Sequence, residues 1–192
     1  MRSLVVVFLL IFSFSAEASQ YLIDVSHSSV GFKVKHLMIS TVSGRFDKFS
    51  GTGDYDEKTG AISNLQVNIE TKSINTNHKK RDKHLRNKDF FDVKKFPKIT
   101  FQSSNIITKN KRPIKIEGEL TLLGTKRPIV FDVEFGGVGI DPWGNKKLAF
   151  VATSKINRKD FGMKWNKALD SGGVMVSDEV TITVEIEANG KK

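Results

Sequence analysis

Apolar side chains recur at every second position through most of this chain, and that period restricts the fold more than any other feature. Val30, Phe32 and Val34 alternate with Gly31, Lys33 and Lys35. Leu65, Val67, Ile69 and Thr71 alternate with Gln66, Asn68 and Glu70. The same beat runs through Ile99 and Phe101, through Ile114, Ile116, Gly118, Leu120 and Leu122, and through Ile129, Phe131, Val133 and Phe135. Leu148 and Phe150 continue it, and Val180, Ile182, Val184 and Ile186 close it. Successive side chains of a strand point to opposite faces, so each run describes a strand with one buried and one wet face.

Turn signals separate the runs: Asp56-Glu57-Lys58-Thr59-Gly60, Lys109-Asn110-Lys111-Arg112-Pro113, Gly124-Thr125-Lys126-Arg127-Pro128 and Asp141-Pro142-Trp143-Gly144-Asn145. The pattern predicts an all-β chain of about eight strands, at roughly 21–36, 42–55, 62–72, 98–107, 113–123, 128–139, 146–156 and 176–188. Most connections are short, as between antiparallel neighbours. Eight one-sided antiparallel strands fit a closed up-and-down barrel or a sandwich, and closure removes exposed edges. Two connections are long, 73–97 and roughly 157–175. Thr76 or Asn77 caps a short helix through about Arg86 in this reading. Its one large apolar residue is Leu85, which makes it a lid or surface helix.

The first residues, MRSLVVVFLLIFSFSAEASQ, combine Arg2, an apolar run and the small pair Ala16 and Ala18. That is a secretory signal pattern, cleaved after Ala18 to leave one domain over 19–192. The apolar run is about 11 residues, where a membrane-spanning helix needs roughly 20. Arg2 and Glu17 leave together, so the formal net charge stays at +10. No later apolar stretch is long enough to span a bilayer. There are no cysteines, which excludes disulfides, thiol catalysis, cysteine metal sites and lipidation of an N-terminal Cys. The expected compartment is a bacterial periplasm or the exterior.

Motifs for catalysis are missing. There is no Gly-x-Ser-x-Gly elbow, no phosphate-binding glycine loop and no His-Glu-x-x-His pair. His78 and His84 would lie about 240° apart on a helix and share no metal there. His36 has the parity of Val34 and is expected to point inward, either as a hydrogen-bonded structural histidine or as a ligand or base. Ser26-His27-Ser28-Ser29 reads as turn chemistry. No catalytic set, metal or cofactor is expected. The segment KKRDKHLRNKDFFDVKKFPKITF, from Lys79 to Phe101, mixes cations with phenylalanines as nucleic-acid binders do. Its aromatics, however, cluster around the start of a strand. We read it as a solvated basic face beside core phenylalanines, or as a basic mouth that meets an anionic head group or membrane surface. Nucleic acid is not an expected partner.

At these residues the chain resembles the YceI-like family of polyisoprenoid-binding proteins. The resemblance rests on Asn77-His78, Arg81-Asp82-Lys83-His84-Leu85-Arg86 and Asp89-Phe90-Phe91, then on Lys95-Phe96-Pro97 with Thr100-Phe101 and Ser103. It continues in Gly118-x-Leu120-Thr121-Leu122-x-Gly124-x-x-x-Pro128, in Asp141-Pro142-Trp143-Gly144 and in Asp178-Glu179-Val180. It implies a lipocalin-like antiparallel barrel whose long apolar tunnel holds one isoprenoid, quinone or fatty chain, with no established reaction. The Gly-x-Trp of true lipocalins is absent. Parity places Val30, Phe32, Val34, Phe46, Phe101, Leu120, Leu122, Phe131, Val133 and Phe150 in the tunnel wall, with His36 beside them. Met38, Phe91, Phe161, Met163 and Trp165 lie in or beside connecting segments and are expected at the entrance. Ordinary core packing competes with this reading for each of them. The expected partners are a lipid ligand and peripheral contact with an anionic membrane, and a homodimer is left open. The alternatives are a module for anionic head groups or acidic polymers, or a lipid-modifying enzyme.

Overall fold

The computed structural model describes residues 18–170 and 172–191. Apart from Ala18, the expected leader lies outside them. Eleven strands and one helix run in the order β1 (Ser19–Ile23), β2 (Ser29–His36), β3 (Ser40–Phe46), β4 (Phe49–Asp56), β5 (Ala61–Glu70), β6 (Ile74–Asn75), α1 (Lys79–Leu85), β7 (Lys98–Lys109), β8 (Arg112–Leu122), β9 (Thr125–Ile140), β10 (Lys146–Asn157) and β11 (Val176–Gly190). All the strand pairings are antiparallel, and β1 pairs with both β4 and β11. The wall is therefore a closed barrel.

Ten of the eleven segments fill eight positions in that wall because two predicted strands are each broken once, and β6 is the eleventh. The long β11 takes β1 against Ala188–Gly190 and β2 against residues from Val176 to Glu185. Opposite them, β4 pairs with β1 and β3 pairs with β2. At the first break Asp24 Oδ1 accepts from the Ser26 amide (3.1 Å) and hydroxyl (2.6 Å), a side-chain turn that competes with the ladder. Ser28 Oγ mends the gap by donating to the Glu187 carbonyl (3.1 Å) and accepting from the Glu187 amide (3.0 Å). At the second break the Asp47 and Lys48 amides turn to Ser73, at 3.1 and 3.0 Å. The two-residue β6 extends the wall beyond β3, and no period announced it.

Inward residues fill one half of the barrel. Tyr21 and Tyr55 meet edge-on at 6.0 Å, and Phe135 tilts over Tyr55 at 6.1 Å. The Phe101 ring lies across Gly118, where a Cβ would come within 2.6 Å of it, so this strand position needs glycine. A register shift between Ile107 and Thr108 turns Pro113 inward and leaves Ile114 exposed, against the expected parity. Among the described residues no helix is long and apolar enough to cross a membrane.

Beyond the tyrosines, Lys147 Nζ binds Glu187 (2.8 Å) and Asp24 (3.2 Å), with His27 Nδ1 at 3.1 Å from Asp24. The ligand atoms of Asp24, His27 and Glu187 lie within 4.8 Å of one another, but Lys147 already supplies positive charge to both carboxylates. Hydrogen bonds from Ser26 and His27, then from Lys147, hold the Asp24 carboxyl well below the ordinary carboxylate range. A depressed folded value stabilises the fold above the unfolded value near 3.9, and that contribution fades as acid protonates the unfolded chain first. Asp24→Asn should therefore lower stability at pH 7 by about 1 kcal/mol. The gap to the parent should narrow below about pH 4 in acid-unfolding curves.

Candidate functional site

The other half of the barrel is not filled. It encloses a cavity of about 520 Å³, within the range of small-molecule sites. The wall alternation is what makes it apolar: Val30, Phe32 and Val34 of β2, Phe46 of β3, Phe101 of β7, Leu120 and Leu122 of β8, Phe131 of β9 and Phe150 of β10 all line it. So do His36 at the end of β2, Phe91 after α1, and Met163 and Trp165 in the segment before β11. The inward residues Val67, Ile156, Ile182 and Val184 also line it and are only half-buried, as befits side chains that border open space. The β5 and β11 members, Val67, Ile69, Val180, Ile182, Val184 and Ile186, were not among the sequence candidates, though they carry the same period.

Three candidates do not reach the cavity. Met38 is the middle residue of the three-residue connection between His36 and Ser40 and is 58% exposed, because Leu37 and Met38 both take left-handed backbone (φ 52° and 62°) and carry it past the strand end. Val133 is buried two residues along β9 from Phe131 but packs within the wall, although its ladder partner Ala152 does line the cavity. Phe161 is buried at the end of a 3-10 turn, Arg158–Phe161, that packs on β9 and β11, so its ring belongs to the wall packing.

Ile23, Leu65, Phe150 and Ile186 line both this cavity and a second space of about 30 Å³ next to Tyr21 and Tyr55. They form a floor one side chain thick.

The open end is built by α1 and the segment before β11. The helix begins later than expected and its cap is His78, whose Nδ1 accepts from the Arg81 amide at 3.2 Å. Thr76 serves a different purpose. Its amide (2.9 Å) and hydroxyl (2.6 Å) donate to the buried Asp82 carboxylate, while Arg81 donates to the Thr76 Oγ1 (2.7 Å) and carbonyl (2.8 Å). This clasp ties α1 to the wall, since β6 ends at Asn75. Arg86 adds bonds to the carbonyls of Lys72 (2.8 Å) and Ile74 (2.6 Å). His84 stands edge-on to Phe90 and Trp165, each at 5.1 Å, and its Nε2 lies 2.7 Å from Asp89.

Arg158 was missed by sequence reading, because nothing in its neighbourhood marks a buried cation. It is 2% exposed. Its guanidinium donates to the carbonyls of Met163, Trp165 and Ser177 at 2.8 to 2.9 Å, with Val176 at 3.5 Å and the Asp178 carboxylate at 3.3 Å. Burial pulls its pKa down from the ordinary arginine value, and Asp178 opposes that pull. Lys35, Lys80, Arg81 and Arg158, together with His36, His78 and His84, give the cavity its polar edge, and among the described residues no carboxylate lines it. The arrangement is an apolar well under a cationic rim.

Residues 21–188 match the YceI-like domain. The chain is 42% identical over 153 residues to a UPF0312 protein of Vibrio cholerae, covering 79% of this chain and 81% of that relative. The crystal structure of the Campylobacter jejuni YCEI protein superposes with a TM-score of 0.73 at 36% identity, over 88% of this chain and 96% of that one. A polyisoprenoid binding domain from Saccharophagus degradans shares the fold, with a TM-score of 0.64 at 16% identity, over 91% and 100% of the two chains. With the domain match spanning the whole barrel and relatives of this similarity on either side, the chain belongs to the YceI-like family.

Proposed function

We propose that the protein binds one long-chain lipid of the isoprenoid, quinone or fatty-acid classes and carries it outside the cytoplasm. The observation that supports this most directly is the apolar cavity opening through a rim that offers cations and, among the described residues, no carboxylate. Each methylene taken from water into such a well contributes about 0.8 kcal/mol, so an eight-carbon tail gains roughly 6 kcal/mol before ordering costs. Affinity of that kind needs no specific polar anchor, and the rim favours a head that bears carboxylate or phosphate. The leader pattern supports the compartment. The reading assigns no reaction, so His36 stands as a wall residue of the upper cavity.

Native mass spectrometry of protein purified without denaturant is the test. About one lipid mass per chain is expected. Empty protein that also fails to take up an added fluorescent fatty acid would sink the reading. The thin floor adds a prediction about length. Phe150→Ala joins the cavity to the space beneath it, so the lipids recovered should shift to longer chains. An unchanged chain-length profile would show that the floor does not set the limit.

A further inference from the structure

The β2–β3 hairpin ends in Leu37-Met38-Ile39, and Ile39 is 83% exposed beside the exposed Met38. Two successive left-handed backbone positions in a hairpin connection are the usual place for Asn and Gly. Here they hold Leu37 and Met38, and bulky side chains are disfavoured in that conformation. The tip is nevertheless fixed: the Leu37 amide donates to the Met175 carbonyl at 2.8 Å, and the Ile39 amide to the His36 carbonyl at 3.2 Å. His36 and Met175 both line the cavity. A rigid hairpin thus presents two apolar side chains to solvent at the edge of the opening.

Charge around the same opening is predominantly positive. Lys33, Lys79 and Lys83 are exposed, and among the described residues none of them lies within 4.0 Å of a carboxylate oxygen. Three nearby acids are engaged: Asp82 with Thr76, Asp89 with His84, and Asp178 with Arg158 and Lys159; Asp170, in the turn whose Gly173 faces Met38, is exposed. The far end also exposes apolar residues, Ile140 and Trp143; there Lys146 is paired with Glu57, and Lys147 with Asp24 and Glu187, while Lys58, Lys109, Lys111 and Arg112 are exposed and make no ion pair among the described residues. What sets the Met38–Ile39 tip apart is the cavity opening beside it.

We propose that the cavity rim docks on an anionic bilayer, with Met38 and Ile39 inserted among the acyl chains and Lys33, Lys79 and Lys83 on the head groups. Apolar tips flanked by lysine are the arrangement that interfacial binding rewards. A second copy of this chain is the poorer occupant, because it would set the same unpaired positive charges against one another. The docked pose turns the opening of the cavity to the lipid. The inference goes beyond the cavity reading, since the rim would meet a bilayer whether or not the cavity were filled.

Co-sedimentation with vesicles of phosphatidylglycerol and phosphatidylcholine, against phosphatidylcholine alone, tests it across a salt series. Binding should be confined to the anionic vesicles and weaken as salt rises. The pair Met38→Ser and Ile39→Ser should lower it about tenfold, and the triple Lys33→Gln, Lys79→Gln and Lys83→Gln by about tenfold or more. Ile140→Ser with Trp143→Ser should leave it unchanged. Thermal melts of each variant keep unfolded protein out of the comparison, and native mass spectrometry reads the cavity separately. Protein that holds lipid yet ignores both vesicle types defeats the docking surface alone. Vesicle binding by protein that is lipid-free and takes up no added fluorescent fatty acid defeats the cavity reading alone. Equal binding to neutral and anionic vesicles, loss only in the far-end variant, or self-association through the tip would overturn the proposal.

Discussion

Arg158→Ala should cost the protein about 3–5 kcal/mol, because it strands buried partners rather than merely removing a contact. The guanidinium satisfies the carbonyls of Met163, Trp165 and Ser177 at once. Those carbonyls belong to the chain that runs from the end of β10 to the start of β11, the stretch that brings Met163 and Trp165 to the cavity. Without the donor they are left in a site where Arg158 itself was 2% exposed. Asp178 keeps only its bond to Lys159, at 2.7 Å. Arg158→Lys should recover little, since a single ammonium cannot serve several divergent carbonyls as a planar fork does. Urea unfolding monitors both variants. Hydrogen exchange should show residues 163–177 opening first, and a loss below about 1 kcal/mol would mean that the carbonyls find other donors.

Val67→Trp combined with Val184→Trp should remove the bound lipid almost entirely while leaving the fold intact. Both valines line the cavity and are half-buried although they point inward. Indole rings at these positions enter open space rather than packed atoms, so the usual 1–3 kcal/mol cost of overpacking should be small here. What disappears is the volume for the tail, and with it roughly 0.8 kcal/mol for every methylene excluded. Lipid recovered per chain should fall at least about tenfold, since excluding even two methylenes exceeds 1.4 kcal/mol. A doubly substituted protein that still carries lipid at the parent's level would place the ligand elsewhere.

The alternation read from the sequence translated into structure wherever a strand ran unbroken. Phe101, Leu120, Leu122, Phe131 and Phe150 line the cavity because a period of two leaves only one face for them. It carried less where local chemistry cut the ladder. Asp24 and Ser26 broke the first strand through a side-chain turn, and a register shift reversed the faces at Pro113 and Ile114. Depth was invisible as well. Val133 and Phe131 share a face, yet only Phe131 lines the cavity. The rim was least legible. Arg158 draws its importance from carbonyls donated by segments up to 19 residues away, and backbone carbonyls leave no mark on a sequence. The helix was foreseen but its cap was not, because Thr76 spends its hydroxyl on Asp82 and leaves the capping to His78.

The seam of the barrel sets the timing of its assembly. β1 closes on β11 through Tyr21 with Gly190, Leu22 with Asn189 and Ile23 with Ala188, and the Ser28 hydroxyl that mends the adjacent break reaches Glu187 across 159 residues of sequence. Contacts this distant along the chain are the slow ones to form. A ribosome delivers the first strand long before its last partner, so β1 and β2 wait with one edge unpaired until β11 has been made. The growing chain therefore stays an open sheet, able to be held or threaded, and becomes a container only when β11 is in place.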